Sequence, residues 1–408
     1  MTPLVVYSLS VVAEFDDIIS NYTTTLAYKL NVSANIISNN ETFKLIRYDK
    51  NSLNYDIIPT YGLFRSVVIN SNNQVACFSP PKSISADVFI KKYNLVDETL
   101  VAEQFVEGTM INVFWDHKNN LWEIATRNNI GGKSSFYKTA NAKTFRDMFF
   151  EALTYSQLDL NSLNKNLCYS FVLQHPENRI VVPFKEPQLY LISIYMIDNT
   201  EPFDIKIGLV DKSDFLTIHT NTKIKLPTIY KFNAYSEVIE KYASMNTSYD
   251  VQGVVIHNNK TGERTKIRNP VYEQVKQLRG NQPKLQYQYL CLRKEGKVGD
   301  FLNFFPEHKT EFSSFRDQIH LFTNTLYLNY ISCYIKKEKP LIEFPDQYRT
   351  HMFNIHKQFL NDLKEKKLYV NNTVVIKYVN NLHPSLLMFC LNFQMRKRSV
   401  DFIKNNEV

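Results

Sequence analysis

Apolar residues recur at two different periods along this chain. Up to about residue 270, short runs rich in β-branched and aromatic residues alternate with turn clusters. They predict strands at Leu63–Asn70, Gln74–Phe78, Phe105–Trp115, Trp122–Thr126, Leu167–Gln174, Arg179–Val182, Leu189–Ile197, Val251–His257 and Arg264–Arg268. Helical spacing interrupts them at Lys143–Gln157 and Tyr230–Tyr242. Beyond Asn269 and Pro270 the period becomes helical. Pro270 suits the first turn of a helix reaching Leu278, and Gly280 suits its end. Apolar positions then recur at helical spacing in Phe315–Ile335, Tyr348–Leu363 and Leu386–Met395. The expected fold class is α+β: an antiparallel-sheet domain over residues 1–284, with an N-terminal extension at 1–59, followed by an all-helical C-terminal domain at 285–408.

Charge sharpens this division. Residues 285–408 carry 18 Lys and Arg against 12 Asp and Glu, whereas residues 1–284 carry 30 against 28. The basic excess therefore sits in the helical third. With 44% hydrophobic and 22% charged residues, the composition is that of a globular chain rather than a disordered one. The early apolar run Leu4–Ala13 is broken by Tyr7, Ser8 and Ser10 and lacks a preceding basic segment, so neither a signal peptide nor a membrane span is expected. Cys77, Cys168, Cys291, Cys333 and Cys390 lie far apart, which reads as buried thiols in a reducing, intracellular compartment and not as a zinc site.

Nucleotide-binding loops of the G-x-x-x-x-G-K-[ST] and G-x-G-x-x-G types are missing, as are H-E-x-x-H and G-x-S-x-G. The segment Gly131-Gly132-Lys133-Ser134 lacks the upstream glycine of a P-loop and reads as a turn. Only ten residues are glycine, so the retained ones mark places where backbone turns or approaches something closely. Their neighbourhoods form an ordered series: YGLFRSVVI (61–69), FSPPKS (78–83), FVEGTMINVFWD (105–116), WEIATR (122–127), YSFVLQHPENRIV (169–181), VQGVVI (251–256) and TKIRNPVYEQVKQLRGN (265–281).

That series resembles the phage-type ATP-dependent RNA ligases of the covalent nucleotidyltransferase superfamily. The sequence also looks like a family from large cytoplasmic DNA viruses that includes the immediate-early infected-cell proteins of iridoviruses. The resemblance implies a nucleotidyltransferase fold in which a lysine of a K-x-D-G motif takes AMP from ATP. Two strand-borne carboxylates in that family bind sugar and metal. Here the motif reads Phe105-Val106-Glu107-Gly108, and the carboxylate positions are held by Val172 and Gln252. A phenyl ring has no amine lone pair to form a phosphoramidate. Valine and glutamine offer Mg²⁺ little, since it is a hard cation that wants charged oxygen ligands. Glu107 stands where the family has Asp and reads as a cap on the turn. By the same resemblance Arg65, Lys82, Lys266 and Arg268 match basic positions that bind phosphates. Lys91 and Lys92 offer a place for a relocated nucleophile.

In the helical domain Lys336, Lys337 and Lys339, then Lys364, Lys366 and Lys367, then Arg396, Lys397 and Arg398 cluster near helix ends. Such cations suit the helix dipole or a phosphate-binding surface. Arg396, Lys397 and Arg398 are the candidates for RNA contact. Tyr327, Tyr330, Tyr334, Phe353, Phe359 and Tyr369 could stack on single-stranded bases, although their helical spacing favours core packing. The expectation is a degenerate, catalytically silent RNA-ligase-like viral early protein that needs no cofactor and holds no metal. Its ligand would be RNA, ATP or another nucleotide, and its partners would be viral or host proteins inside the host cell, in the cytoplasm with the nucleus left open, and with no membrane. An active ligase with a relocated nucleophile and a protein-binding scaffold stay open as alternatives.

Overall fold

Three antiparallel sheets form the frame of the first 276 residues. The computed structural model describes residues 2–20, 30–38, 41–136, 142–201 and 204–395, and it divides into compact units at Lys276 and Gln277. The strands are β1 (Val5–Ser8), β2 (Leu30–Ser38), β3 (Glu41–Tyr48), β4 (Val67–Ile69), β5 (Val75–Phe78), β6 (Leu100–Gln104), β7 (Thr109–Asp116), β8 (Leu121–Ala125), β9 (Leu167–Gln174), β10 (Gln188–Asp198), β11 (Lys206–Val210), β12 (Ile229–Tyr230), β13 (Gly253–Asn258) and β14 (Arg264–Arg268). The large sheet runs β1-β11-β10-β9-β7-β8. The second runs β12-β6-β13-β14 and the third β2-β3-β4-β5.

Alternation along the strands assigns each face. On the large sheet Ile111, Val113, Tyr169, Phe171 and Leu191 point to one side, where the helix Phe145–Ser156 covers them with Met148, Phe149 and Ala152. That helix begins with a reciprocal capping box between Thr144 and Asp147. On the second sheet Ala102, Val254, Ile256 and Ile267 pack under the helices Ala86–Lys92 and Tyr235–Tyr242 through Phe89 and Val238. The opposite face of this sheet carries Glu103, Val255, His257 and the three basic residues of β14.

Two of the predicted strands are corrected by the structure. Thr109, not Phe105, begins β7, because residues 105–108 cross from the second sheet to the large one. Arg179–Val182 is not a strand. The backbone N–H groups of Val181 and Val182 go to the Glu107 carboxylate instead of a ladder. Sequence periodicity also passed over β1, β2, β3, β6 and β11.

The second unit, from Gln277, is helical among its described residues. Its core is built from Tyr289, Phe301, Phe312, Ile319, Phe322, Leu326, Met352, Ile355, Val375 and Val379. The longest helix, Lys309–Tyr330, ends in a π-helical turn at Ile331–Ile335, and Asp346–Gln358 ends in another at Phe359–Leu363. Among the described residues no single helix is long and apolar enough to cross a membrane.

Candidate anion-binding site

The crossover at residues 105–108 ties together the positions that the sequence singled out. Phe105 donates its N–H to the carbonyl of Gly253 at 3.2 Å, which extends the second sheet by one rung. Three residues later Gly108 (φ 147°) lies against β9. A Cβ there would overlap the carbonyl oxygen of Leu173 and come within 2.7 Å of Val172 Cγ1. Gly253 (φ 131°) is held as tightly, since a Cβ would overlap the carbonyl oxygen of Ile267. Both glycines therefore serve close backbone approach in a conformation that side chains resist. Three residues of extended chain span about 10 Å, so Phe105 stands within that reach of Gly108, which packs on Val172, and Gln252 directly precedes the Gly253 whose carbonyl Phe105 bonds.

Glu107 is buried and structural. Its carboxylate accepts N–H bonds from Val181 at 3.0 Å and Val182 at 3.1 Å, and the Tyr272 hydroxyl also bonds to it. Burial raises its pKa despite these donors. The Gln174 amide donates to the Glu107 carbonyl at 2.9 Å. Gln252 leaves its side-chain oxygen buried with no hydrogen-bond partner among the described residues. Val172 is 6% exposed and presents only methyl groups.

The basic residues converge from three separate segments. Period-two alternation puts Arg264, Lys266 and Arg268 on one face of β14. The segment 78–85 runs beside that strand: Ile84 donates to the carbonyl of Arg264, and Arg264 donates to the carbonyls of Pro80 and Pro81. Lys82 is thereby set beside Lys266 and Arg268 in one cleft of ≈ 580 Å³, whose wall includes Tyr48 and Lys50. Lys82 also donates its N–H to the carbonyl of Gly62, which brings in the turn carrying Arg65. The Lys266 ammonium stands 4.6 Å from the centre of the Phe105 ring, and Arg127 stands 5.1 Å from the centre of the Tyr48 ring.

These cations feel one another. Burial, then the charges of Arg264, Arg65, Arg268 and Lys82, push the Lys266 pKa down to about 6. Burial and the neighbouring Arg264 push Arg65 down to about 10. Lys82 is lowered by burial and by Arg268, Arg65, Arg264 and Arg127. Arg65, Lys82 and Lys266 form no ion pair with a carboxylate among the described residues; Arg268 reaches Glu273 at 3.4 Å.

Nearby carboxylates are committed elsewhere. Glu103 on β6 binds Lys212 at 2.9 Å and His257 at 3.5 Å. Burial would raise its pKa, but His257 and Lys212 hold it well below the usual carboxylate range. Among the described residues no group of three or more His, Cys, Asp or Glu could hold a metal ion. The residues of this site do not fit Mg²⁺.

Sequence reasoning named Arg65, Lys82, Lys266 and Arg268 but missed Arg264, Arg127 and the Glu103–Lys212–His257 cluster. The alternation Arg264-x-Lys266-x-Arg268 was the available signal for the first. Lys91 and Lys92 end the helix on the far, apolar face of the second sheet, and Lys92 pairs with Glu263 at 2.8 Å. They do not share the face that carries Lys266. Arg396, Lys397 and Arg398 lie outside the described residues.

No family model matches the sequence. The RNA ligase of Rhodothermus phage RM378 is 26% identical over 284 residues, covering 62% of this chain and 63% of the relative. An immediate-early protein ICP-46 homolog of Invertebrate iridescent virus 6 is 24% identical over 307 residues, covering 69% and 63%. The chain is RNA-ligase-like. It spans somewhat less than two thirds of the length of these relatives. Among solved structures, an archaeal ATP-dependent RNA ligase superimposes with a TM-score of 0.43 at 12% identity, covering 74% of this chain and 73% of that one. In this RNA-ligase-like chain, Lys266 is the amine beside Phe105.

Proposed function

We propose that this chain is a catalytically silent viral early protein that binds nucleotide or RNA through the cation cleft and acts as a regulatory or accessory factor. The observation that carries this reading is the convergence of Arg65, Lys82 and Lys266, none paired with a carboxylate among the described residues, beside Phe105. Uncompensated, partly buried cations cost free energy unless an anion joins them. A polyanion supplies what the fold withholds.

Incubation with α-labelled ATP and Mg²⁺, followed by denaturing electrophoresis, tests the silent half of the proposal. The expected result is no covalent AMP band, with reversible nucleotide or RNA binding retained by the same preparation. A second reading, AMP transfer by a relocated amine, is favoured by one observation: Lys266, its pKa pushed down to about 6 by burial and neighbouring cations, adjoins Phe105. An acid-labile adduct that disappears in Lys266→Arg would establish that reading in place of the first.

A further inference from the structure

The cleft combines cations, of which Arg65, Lys82 and Lys266 pair with no carboxylate among the described residues, with neighbouring carboxylates already engaged by other groups. Lys82 from the segment 78–85 and Lys266 and Arg268 from β14 line it, and Arg65, from the turn after the short helix Ile58–Tyr61, stands close enough for its charge to act on Lys82 and Lys266. On the acidic side, Glu103 is engaged by Lys212 and His257, Glu107 by two backbone N–H groups and Tyr272, and Glu273 by Arg268 and Lys276. Val172 and Gln252 bring no charge at all.

Mg²⁺ normally reaches a polyphosphate through one or two protein carboxylates and several retained waters. In this cleft it would find no carboxylate to ligate it and would stand among like charges. It would also cancel part of the phosphate charge that Arg65, Lys82, Lys266 and Arg268 are placed to attract. Like charges at close range repel by several kcal/mol where water is scarce, so the metal complex is the poorer ligand. We infer that this cleft takes a polyphosphate chain bare of divalent metal, and that Mg²⁺ competes with the protein for it. The inference rests on the anion-binding reading above and specifies the ligand of that same site.

Lys266 gives the binding step a second signature. Arg264, Arg65, Arg268 and Lys82 face its amine, Glu103 and His257 share its side of the sheet, and the Phe105 ring lies beneath it. Without an anion the surrounding cations disfavour its proton. A polyphosphate reverses that balance, so the complex forms with proton uptake near neutral pH.

The test is calorimetric titration of the full chain with sodium tripolyphosphate, with ATP, and with a 5′-triphosphorylated oligoribonucleotide. Each titration is run in EDTA and again in excess Mg²⁺ at matched ionic strength. Binding in EDTA should weaken by at least about tenfold in Mg²⁺, and the heat should differ between two buffers of unlike ionisation enthalpy. Lys266→Met should abolish the buffer dependence, and Arg65→Met should weaken binding and reduce the proton uptake without abolishing it, since it removes one of the charges that act on the Lys266 amine. The ligand that binds tightest in EDTA, the oligoribonucleotide or ATP, identifies the source of the triphosphate. Tighter binding in Mg²⁺ would overturn the inference and leave the anion-site reading intact. Absence of binding in both conditions, with the protein shown folded by circular dichroism, would remove both.

Discussion

Phe105 and Lys266 show what a single position decides. An amine at 105 would rejoin the chemistry of the relatives only if carboxylates stood nearby, and Val172 and Gln252 supply none. Phe105→Lys is therefore expected to give no AMP adduct on a denaturing gel, because it adds another ammonium to a cluster that already suppresses one. Lys266→Met should act in the opposite sense on stability. The Lys266 pKa is about 6 in the fold against an ordinary 10.5. Between those values the unfolded chain binds a proton that the native one lacks, so native stability falls as pH drops from 10.5 toward 6. Replacement by Met should flatten that slope between pH 6.5 and 9 in urea titrations. It should also stabilise the chain at neutral pH by roughly 1–2 kcal/mol, as apolar replacements of strained buried charges do. Arg65, Lys82, Lys266 and Arg268 were legible in the sequence because each belongs to a short ordered segment. Arg264 was not, since its task is to hold the carbonyls of Pro80 and Pro81. The pairing of Glu103 with Lys212 joins residues 109 apart, a separation no local pattern reports.

At the scale of elements, the site depends on two places where backbones touch. Gly108 and Gly253 hold the ends of the crossover against Leu173 and Ile267. Gly108→Ala or Gly253→Ala is expected to cost roughly 2–4 kcal/mol, from a conformation disfavoured for side chains together with direct overlap. Gly299, in the helix Val298–Phe304, is the matched control: nothing lies within 4 Å of its Cβ position. Gly299→Ala should gain about 0.5–1 kcal/mol, and equilibrium urea unfolding measures both. The same crossover explains why Phe105–Trp115 reads as one continuous strand in sequence. Phe105 and Val106 have strand-prone side chains like those of Met110–Trp115, and only the backbone turn at Gly108 reveals the change of sheet. Arg179–Val182 misleads for a related reason. Its residues have strand character, but Glu107 takes their N–H groups and leaves none for a neighbouring strand. The helices Phe145–Ser156 and Pro270–Arg279, by contrast, carry strong local signals, a capping box in one and a first-turn proline in the other.

For the molecule as a whole, the basic excess of the helical unit makes a prediction of its own, apart from that of the cleft. The Lys336 and Lys364 groups each follow a π-helical turn, at Ile331–Ile335 and at Phe359–Leu363. Phe322 stacks on Tyr348 at 5.3 Å and the Tyr330 hydroxyl meets His356 at 3.3 Å, so the two helices run side by side in the same direction and bring both groups to one end. Lys364, Lys366 and Lys367 are all exposed. Of the aromatic candidates, Tyr330 is buried and Tyr334 stacks on His356 at 3.9 Å, leaving Phe353 and Tyr369 exposed. If this unit binds RNA, each phosphate neutralised contributes about −0.7 to the slope of log K against log salt. Replacing Lys364, Lys366 and Lys367 by Gln should then flatten the slope for a long single strand by roughly 2 and weaken all sequences about equally, since phosphate contacts carry no sequence information. Lys266→Met with Arg268→Gln should instead remove the preference for a 5′-triphosphorylated end and leave the affinity for a 5′-hydroxyl strand nearly unchanged. Fluorescence anisotropy across a sodium chloride series reads both effects. Binding that ignores salt, or none at physiological salt, would make the lysine groups an ordinary solvated surface and confine recognition to the cleft.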